Sequence, residues 1–217
     1  MNSKRLATIA ELIPNTELIV DVGSDHAQLS ILLVNSNKAK KVINIEKNLK
    51  PFNTSKENTK QYKNIENIHS DGFEKFDPNI KIDFLTIAGM GSKLMVDIIC
   101  KSRNKIDNII LCPNNNENLI REFAYKNFYK INKDITIKEN DIFYPIIWLS
   151  KTEGIKPSFW KSKWYIGNKN LKKEDLLYKD FLEYKIANLK KIENLKKMNK
   201  EKYKEYKIYL KELKKWQ

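Results

Sequence analysis

Two cysteines in 217 residues, Cys100 and Cys112, leave no second pair to complete a zinc site. Reduced thiols, and hence a cytoplasmic protein without a bound metal, are the expectation. No stretch approaches the ~18 consecutive apolar residues of a membrane span, and Met1 to Glu11 has no apolar core of signal-peptide length. Glycine is scarce too, at six residues, and no G-x-G-x-x-G occurs: Asp25 and Gln28 stand where the glycines would be. That absence counts against a pyrophosphate cradle and so against NAD or FAD. Beyond Lys172 there is neither Gly nor Pro, so nothing there breaks a helix. No internal repeat, disordered tract or metal cluster rises above background.

Lysine is in excess, and it is unevenly spread. Residues 1–150 carry 21 Lys/Arg against 18 Asp/Glu, whereas residues 151–217 carry 20 Lys against nine acids, a net +11 of the total +14. Coding bias toward Lys, Asn and Ile would raise lysine evenly. The gradient favours a polyanionic partner, most simply a nucleic acid, over a merely solvated face.

The first two thirds alternate strand and helix. After a short helix over 4–12, the apolar runs predict strands at 18–23, 42–46, 67–71, 84–88 and 109–113, with helices near 27–37, 51–63, 91–102 and 117–128. This rhythm implies right-handed crossovers and a parallel sheet. The runs 134–139 and 142–150 are separated only by Asn140-Asp141, too few residues for a crossover, and predict an antiparallel hairpin at the sheet edge. By analogy of fold, that ending belongs to the Rossmann-like class I methyltransferase sheet rather than to a nicotinamide domain. Gly154, Pro157 and Gly167 then punctuate a stretch with Trp160 and Trp164 that turns back onto the sheet. Leu182, Ile186, Leu189, Ile192, Leu195 and Met198, then Tyr203, Tyr206, Leu210 and Leu213, recur at helical spacing. They predict a coiled-coil-like pair of antiparallel α-helices turning at Asn199-Lys200, with a single uninterrupted helix as the alternative. The expected division is a cofactor-binding α/β domain over 1–155 and a Lys-rich helical domain over 156–217.

The chemistry concentrates at strand ends. Leu18-Ile19-Val20-Asp21-Val22-Gly23 is a strand that stops at an acid and a Gly before a helix, the cofactor corner of a doubly wound sheet. Asp21 can take hydrogen bonds or the amino charge of a ligand while Gly23 lets the backbone approach. Glu46, 25 residues on, can accept both ribose hydroxyls, which makes the ligand a nucleoside. Asp71-Gly72 can bind an adenine amino group, or simply turn the chain. Ala88-Gly89-Met90-Gly91 leaves an open floor with a soft side chain suited to a flat base or a methyl group. In Cys112-Pro113-Asn114-Asn115 the amides can read a base edge, or Asn114 can cap the next helix. Asp25 and His26 form the polar pair best placed for catalysis, with an N-cap role for Asp25 equally open. An anionic Asp25 would repel a pyrophosphate but could face a positive sulfonium.

Asp21-Val-Gly-Ser-Asp-His26, Ile87-Ala-Gly-Met-Gly91 and Leu111-Cys-Pro-Asn114 together resemble the bacterial tRNA adenine-22 N1-methyltransferases. The opening Ser3-Lys-Arg-Leu6 and the ending Phe143-Tyr-Pro-Ile146 fit the same family. The resemblance implies an S-adenosylmethionine-dependent enzyme that methylates N1 of an adenine in the tRNA D-arm, acting as a monomer. It places Asp21, Gly23, Ser24, Asp25 and His26 along the cofactor or catalytic edge, Glu46 and Lys47 at the ribose, and Asp71 and Gly72 at the cofactor adenine. Ala88, Gly89 and Met90 fall at the junction with the target base. Met90, Phe143 and Tyr144 are expected to sandwich that base once it is swung out. Asp25 or His26 would receive the proton released by the exocyclic amine. Ser92 stands where the family has a second Gly, and Cys112 where Gln is common. The lysine-rich tail would meet phosphates, so deletion after about residue 170 should weaken RNA binding and flatten its salt dependence. A methyltransferase acting on another RNA or on DNA is the alternative, as is a non-catalytic RNA-binding module.

Overall fold

The computed structural model describes residues 3–173, 175–192, 197 and 199–216. Helix α1 spans Lys4–Leu12, followed by strand β1 (Thr16–Val22) and α2 (Gln28–Asn35). Then come β2 (Ala39–Glu46), α3 (Leu49–Thr59), β3 (Ile65–His69), β4 (Ile82–Ala88) and α4 (Ser92–Lys101). Strand β5 (Ile106–Cys112), α5 (Glu117–Lys126), β6 (Lys130–Glu139) and β7 (Ile142–Ser150) complete the sheet region. Each predicted strand is present, several starting two or three residues earlier than the apolar run suggests.

The seven strands lie in the order β3-β2-β1-β4-β5-β7-β6. The first five are parallel and β7 runs antiparallel between β5 and β6. Asn140 and Asp141 both have positive φ, 49° and 60°, as a two-residue type I′ hairpin turn requires. Alternate strand residues face opposite layers. Ile19, Val42, Phe84 and Ile110 pack with Ile9 of α1 and Leu33 of α2. Val20, Ile43, Leu85 and Ile109 pack with Met95 of α4 and Ile120 of α5. A buried amide ladder locks α2 and α3 to the sheet: Asn44 takes a hydrogen bond from Ser30 and donates to Asn67 (3.0 Å), which donates to Thr59 (2.7 Å).

The tail packs closely on this sheet. Ile155 pairs with Ile131 in an isolated bridge, returning the chain to the edge of β6. Helices α6 (Lys161–Ile166), α7 (Lys169–Lys172), α8 (Tyr178–Lys190) and α9 (Lys200–Leu213) follow. Tyr178, which opens α8, meets Trp216 just past α9 at 5.2 Å between ring centroids, and Lys185 lies over Tyr209. The two helices therefore run antiparallel. The break between α7 and α8 needs no Gly or Pro. Asp175 turns inward to take hydrogen bonds from Thr136 (2.8 Å) and Lys172 (3.1 Å), and its second oxygen accepts from the Leu177 N–H.

Two details of the tail depart from the periodicity. Asn199 caps α9, accepting from the Lys202 N–H at 2.9 Å, and Lys200 is already helical, so Lys200 is not part of the turn expected at Asn199-Lys200. The most buried positions of α9 are Glu205, Tyr209 and Glu212, with Glu205 and Glu212 paired to Lys202 and Lys215 close by in the chain, while Tyr206, Leu210 and Leu213 pack partly buried against the same aromatic cluster. Leu195 and Met198 lie outside the described residues.

Under the tail sits a buried ionic cluster that periodicity did not reveal. Arg121 of α5 forks onto both oxygens of Asp134 (2.8 and 3.0 Å) and donates to the Trp164 carbonyl (2.6 Å). Lys172 adds a further cation against Asp134 at 2.9 Å. Burial alone would raise the Asp134 carboxyl, but Arg121 and Lys172 outweigh it and hold its pKa at about 2. No helix of the described residues is long and apolar enough to cross a membrane.

Candidate active site

Strand order reverses between β1 and β4, and a crevice opens there at the carboxyl ends of the parallel strands, as open α/β sheets provide. Its main cavity, of ≈ 590 Å³, is lined by Gly23, Asp25, Glu46, Lys47, Asp71, Gly72, Ala88, Gly89, Met90 and Tyr144, along with Arg5 and Asn114. A smaller recess of ≈ 120 Å³ adjoins it, lined by Asp21, Ser24 and His26 together with Arg5, Gly23, Asp25 and Ala88. Residues from six strand ends and from α1 thus meet in one place.

The β1 corner is tightly built. Gly23 has φ +78°, and a Cβ there would run into the Met90 methyl. The positive φ favours glycine, and any larger residue would also have to push the flexible Met90 side chain aside. The Gly23 N–H is held by the Ile45 carbonyl at 2.8 Å. Asp21 is buried and accepts a hydrogen bond from Thr86 at 2.7 Å. Burial pushes its pKa up to about 6 against the Thr86 bond, and nearby Glu46 adds to the rise. Asp25 and Ala27 take positive φ, 36° and 57°, so α2 starts at Gln28 and no side chain caps it. Asp25 is therefore not an N-cap. Its carboxylate lies 3.6 Å from His26 Nε2, both side chains more than half exposed.

The β2 and β3 ends supply the other acids. Glu46 is buried, and one of its oxygens accepts the Asn48 N–H at 2.8 Å, which leaves the second for a ligand. Lys47 pairs with Asp71 at 2.6 Å across the cavity mouth. At the β4 end, the Gly89 carbonyl accepts from the Asn114 side chain at 2.7 Å, and the Asn114 N–H donates to Met90 O at 2.8 Å. Asn114 therefore braces the Gly89-Met90 floor, and Asn116 occupies the cap position of α5. Ser92 is fully buried and donates to the Asn115 carbonyl at 2.6 Å, closing the same loop pair. Burial pushes the Cys112 thiol up to about 12, which leaves it inert.

The aromatic pair divides. Tyr144 lines the cavity, with the Arg5 guanidinium 5.1 Å from its ring centroid. Phe143, its neighbour on β7, points to the opposite face, where it packs against Tyr184 (5.1 Å) and Phe181 of α8. Strand alternation makes it impossible for both rings to face one base, so Phe143 is not part of the expected sandwich.

Arg5 is the site residue that the strand-end reading missed. Its Nε and the Ser24 hydroxyl are the two buried side-chain polar atoms without a hydrogen-bond partner among the described residues, and both line the small recess. A signal was present: the chain has only three arginines, Arg5, Arg103 and Arg121, among 41 cationic residues. In so lysine-rich a composition, an arginine marks a place where a planar fork matters. Arg121 is one such place and Arg5 is the other.

A family model described as a methyltransferase domain matches residues 2–147. The tRNA (adenine(22)-N(1))-methyltransferase of Bacillus subtilis is 34% identical over 151 residues, 67% of this chain and 63% of that protein. The chain belongs to the tRNA (adenine-22-N1)-methyltransferase family. Among solved members, M. capricolum TrmK in complex with the natural cofactor product S-adenosyl-homocysteine is 32% identical, with a TM-score of 0.82 over 99% of this chain and 96% of that one. The B. subtilis M1A22 tRNA methyltransferase TrmK is 26% identical, with a TM-score of 0.78 over 98% of this chain and 95% of that one. In this family the likeness thus extends through the helical tail, beyond the stretch that the methyltransferase domain covers.

Proposed function

We propose that this chain transfers the methyl group of S-adenosylmethionine to N1 of adenine 22 in tRNA, in the cytoplasm. One observation carries the cofactor: the unpartnered Arg5 donor and the buried Asp21 carboxylate face the same small recess, which opens into a nucleoside-sized cavity with Glu46 and Asp71 at its far strand ends. Opposite charges lining one recess suit an amino-acid end, the carboxylate on the Arg5 fork and the Ser24 hydroxyl, the ammonium near Asp21. Glu46 would hold the ribose hydroxyls through its free oxygen. Asp71 and Gly72 would border the adenine, with Lys47 balancing the Asp71 charge.

When bound there, S-adenosylmethionine supplies a methyl carbon on a positive sulfur, which the lone pair of a ring nitrogen can take up directly. The protein's part is to position and desolvate. Met90 and Tyr144 would flank the flipped base across the Gly89-Met90 floor that Asn114 braces. Unstacking a base costs a few kcal/mol, which contacts of this kind offset. Methylation leaves a positive charge on the ring, and the exocyclic amine then sheds a proton. Asp25 and His26, half exposed at the mouth, would receive it and pass it to solvent.

The test is transfer of labelled methyl groups to unmodified tRNA transcripts carrying adenine or guanine at position 22. Label confined to the adenine transcript and mapped to N1 is the expected result. Label on both transcripts would move the site, and bound cofactor without transfer would leave a binding module.

A further inference from the structure

We propose that Phe159 and Trp160 form a stacking platform for an unpaired nucleotide of the tRNA, at a distance from the reacting adenine. This rests on the reading of tRNA as substrate. The two side chains are 61% and 62% exposed, with ring centroids 4.5 Å apart and planes 34° from parallel. Two large adjacent apolar rings facing water need a reason. Their loop is not loose. Ile155 is fixed by the bridge to Ile131, the Trp164 indole N–H is bonded to the Ser158 carbonyl at 2.7 Å, and the Trp160 N–H to the Ser158 hydroxyl. The rings are held out by a clamped backbone.

The chemistry around them is one-sided. From residue 151 to 173 the chain has seven lysines and one acid, Glu153. Lys156, Lys161, Lys163 and Lys169 are exposed, and none has an ion-pair partner among the described residues. Lys156, Lys163 and Lys169 line a cavity of ≈ 240 Å³ beside the aromatic pair. Unpaired aromatic rings rimmed by lysine are the means by which proteins hold single-stranded nucleic acid: the rings take the base and the cations the phosphates. A protein partner or a second copy would call for acids or apolar surface of complementary kind, and the lysine rim disfavours a second copy by like-charge repulsion.

Position separates this surface from the crevice. Ser150 pairs with Asn108 near the start of β5, whereas the crevice lies at the opposite end, beyond Cys112. A nucleotide on Phe159-Trp160 is therefore not the target base. It would be a second anchor on the substrate, fixing the orientation in which the target arm meets the crevice.

The experiment uses the full chain with Trp160→Ala, Trp160→Phe and Phe159→Ala. Base stacking on one ring is worth about 1–3 kcal/mol, so tRNA KM should rise at least about fivefold in Trp160→Ala, with kcat and cofactor affinity unchanged, and recover largely in Trp160→Phe. Hexaadenylate RNA should quench fluorescence of the wild type and leave that of Trp160→Phe unchanged. Unaltered tRNA KM together with no Trp160-dependent quenching would overturn the platform even though the wild type methylates tRNA. Loss of self-association in Trp160→Ala with RNA kinetics intact would overturn it in favour of an interface between copies. A wild type that ignores tRNA yet shows hexaadenylate quenching at Trp160 would support the platform and discard the substrate.

Discussion

Asp21 shows how a single carboxylate serves a site at the expense of the fold. Its pKa of about 6 in the folded protein, against an ordinary 3.8, means that the folded state binds more protons than the unfolded chain between those values. Stability therefore falls as pH rises through that window. Asp21→Asn is expected to stabilise the ligand-free protein at pH 7.5, on the order of 1–3 kcal/mol, with the gain shrinking toward pH 4; thermal melts at the two pH values check it. A cationic ligand beside Asp21 favours the ionised form, so S-adenosylmethionine should bind more tightly at pH 7 than at pH 5. Calorimetry in buffers of different ionisation enthalpy should register the proton released near pH 6. Arg5 makes the complementary test. Arg5→Ala should weaken cofactor binding at least about tenfold, and Arg5→Lys should restore only part of it, since a lysine lacks the fork that engages a carboxylate twice. Equal affinity in all three proteins, measured by the same calorimetry, would remove Arg5 from the cofactor site.

Among the elements, the contact of α5 with β6 and the tail is the most demanding. Arg121 and Asp134 are 2% and 0% exposed, and Arg121 also satisfies the Trp164 carbonyl. Removing one member of such a pair strands the other charge in the interior. Arg121→Ala should cost about 3–5 kcal/mol, and Arg121→Met less because its stem still fills the space. Denaturant melts would rank the two. Gly167 belongs to the same cluster: at φ +75° its missing Cβ leaves room for the Asp134 carboxylate. Glu117 of α5 completes the seam, paired with Lys185 at 3.0 Å and taking a hydrogen bond from Tyr209. Deletion of the tail after about residue 170, expected to weaken RNA binding and flatten its salt dependence, would also reach this cluster. Such a truncation removes Lys172, Asp175 and the aromatic cover of Phe143, so it would disturb the fold before it reported on RNA.

For the whole molecule, the charge gradient is better tested on the surface. Lys204, Lys207 and Lys211 are exposed on α9. Replacing all three by alanine should leave the melting temperature within a few degrees. The slope of log affinity for tRNA against log salt should fall by up to ~2–3, at about 0.7–0.9 for each phosphate no longer neutralised. A slope identical to wild type, measured by titration at several salt concentrations, would move the phosphate contacts off this helix.

Much of this architecture is legible in one dimension because it rests on local physics. Apolar runs of strand length separated by helical periodicity give a parallel sheet, and two residues at Asn140-Asp141 leave a hairpin as the only connection. The acids and glycines at the strand ends could be read as a site because a doubly wound sheet sends all such ends to one edge. What depends on facing direction and on distant partners could not be read that way. Phe143 and Tyr144 are adjacent in sequence and part company at the sheet. Asp25 looks like a helix cap and is a positive-φ residue at a cavity mouth. On α9 the fully buried Tyr209, bonded to Glu117 and lying under Lys185, joins the partly buried stripe of Tyr206, Leu210 and Leu213, and those distant partners are not written in the helix's own periodicity. The sequence alone determined the parallel strands with their terminal hairpin, the cofactor edge and the basic tail, since each is written in neighbouring residues. Only the tertiary structure decided that Arg5 reaches the crevice and that the tail is locked on by buried charge, because charges pair through space.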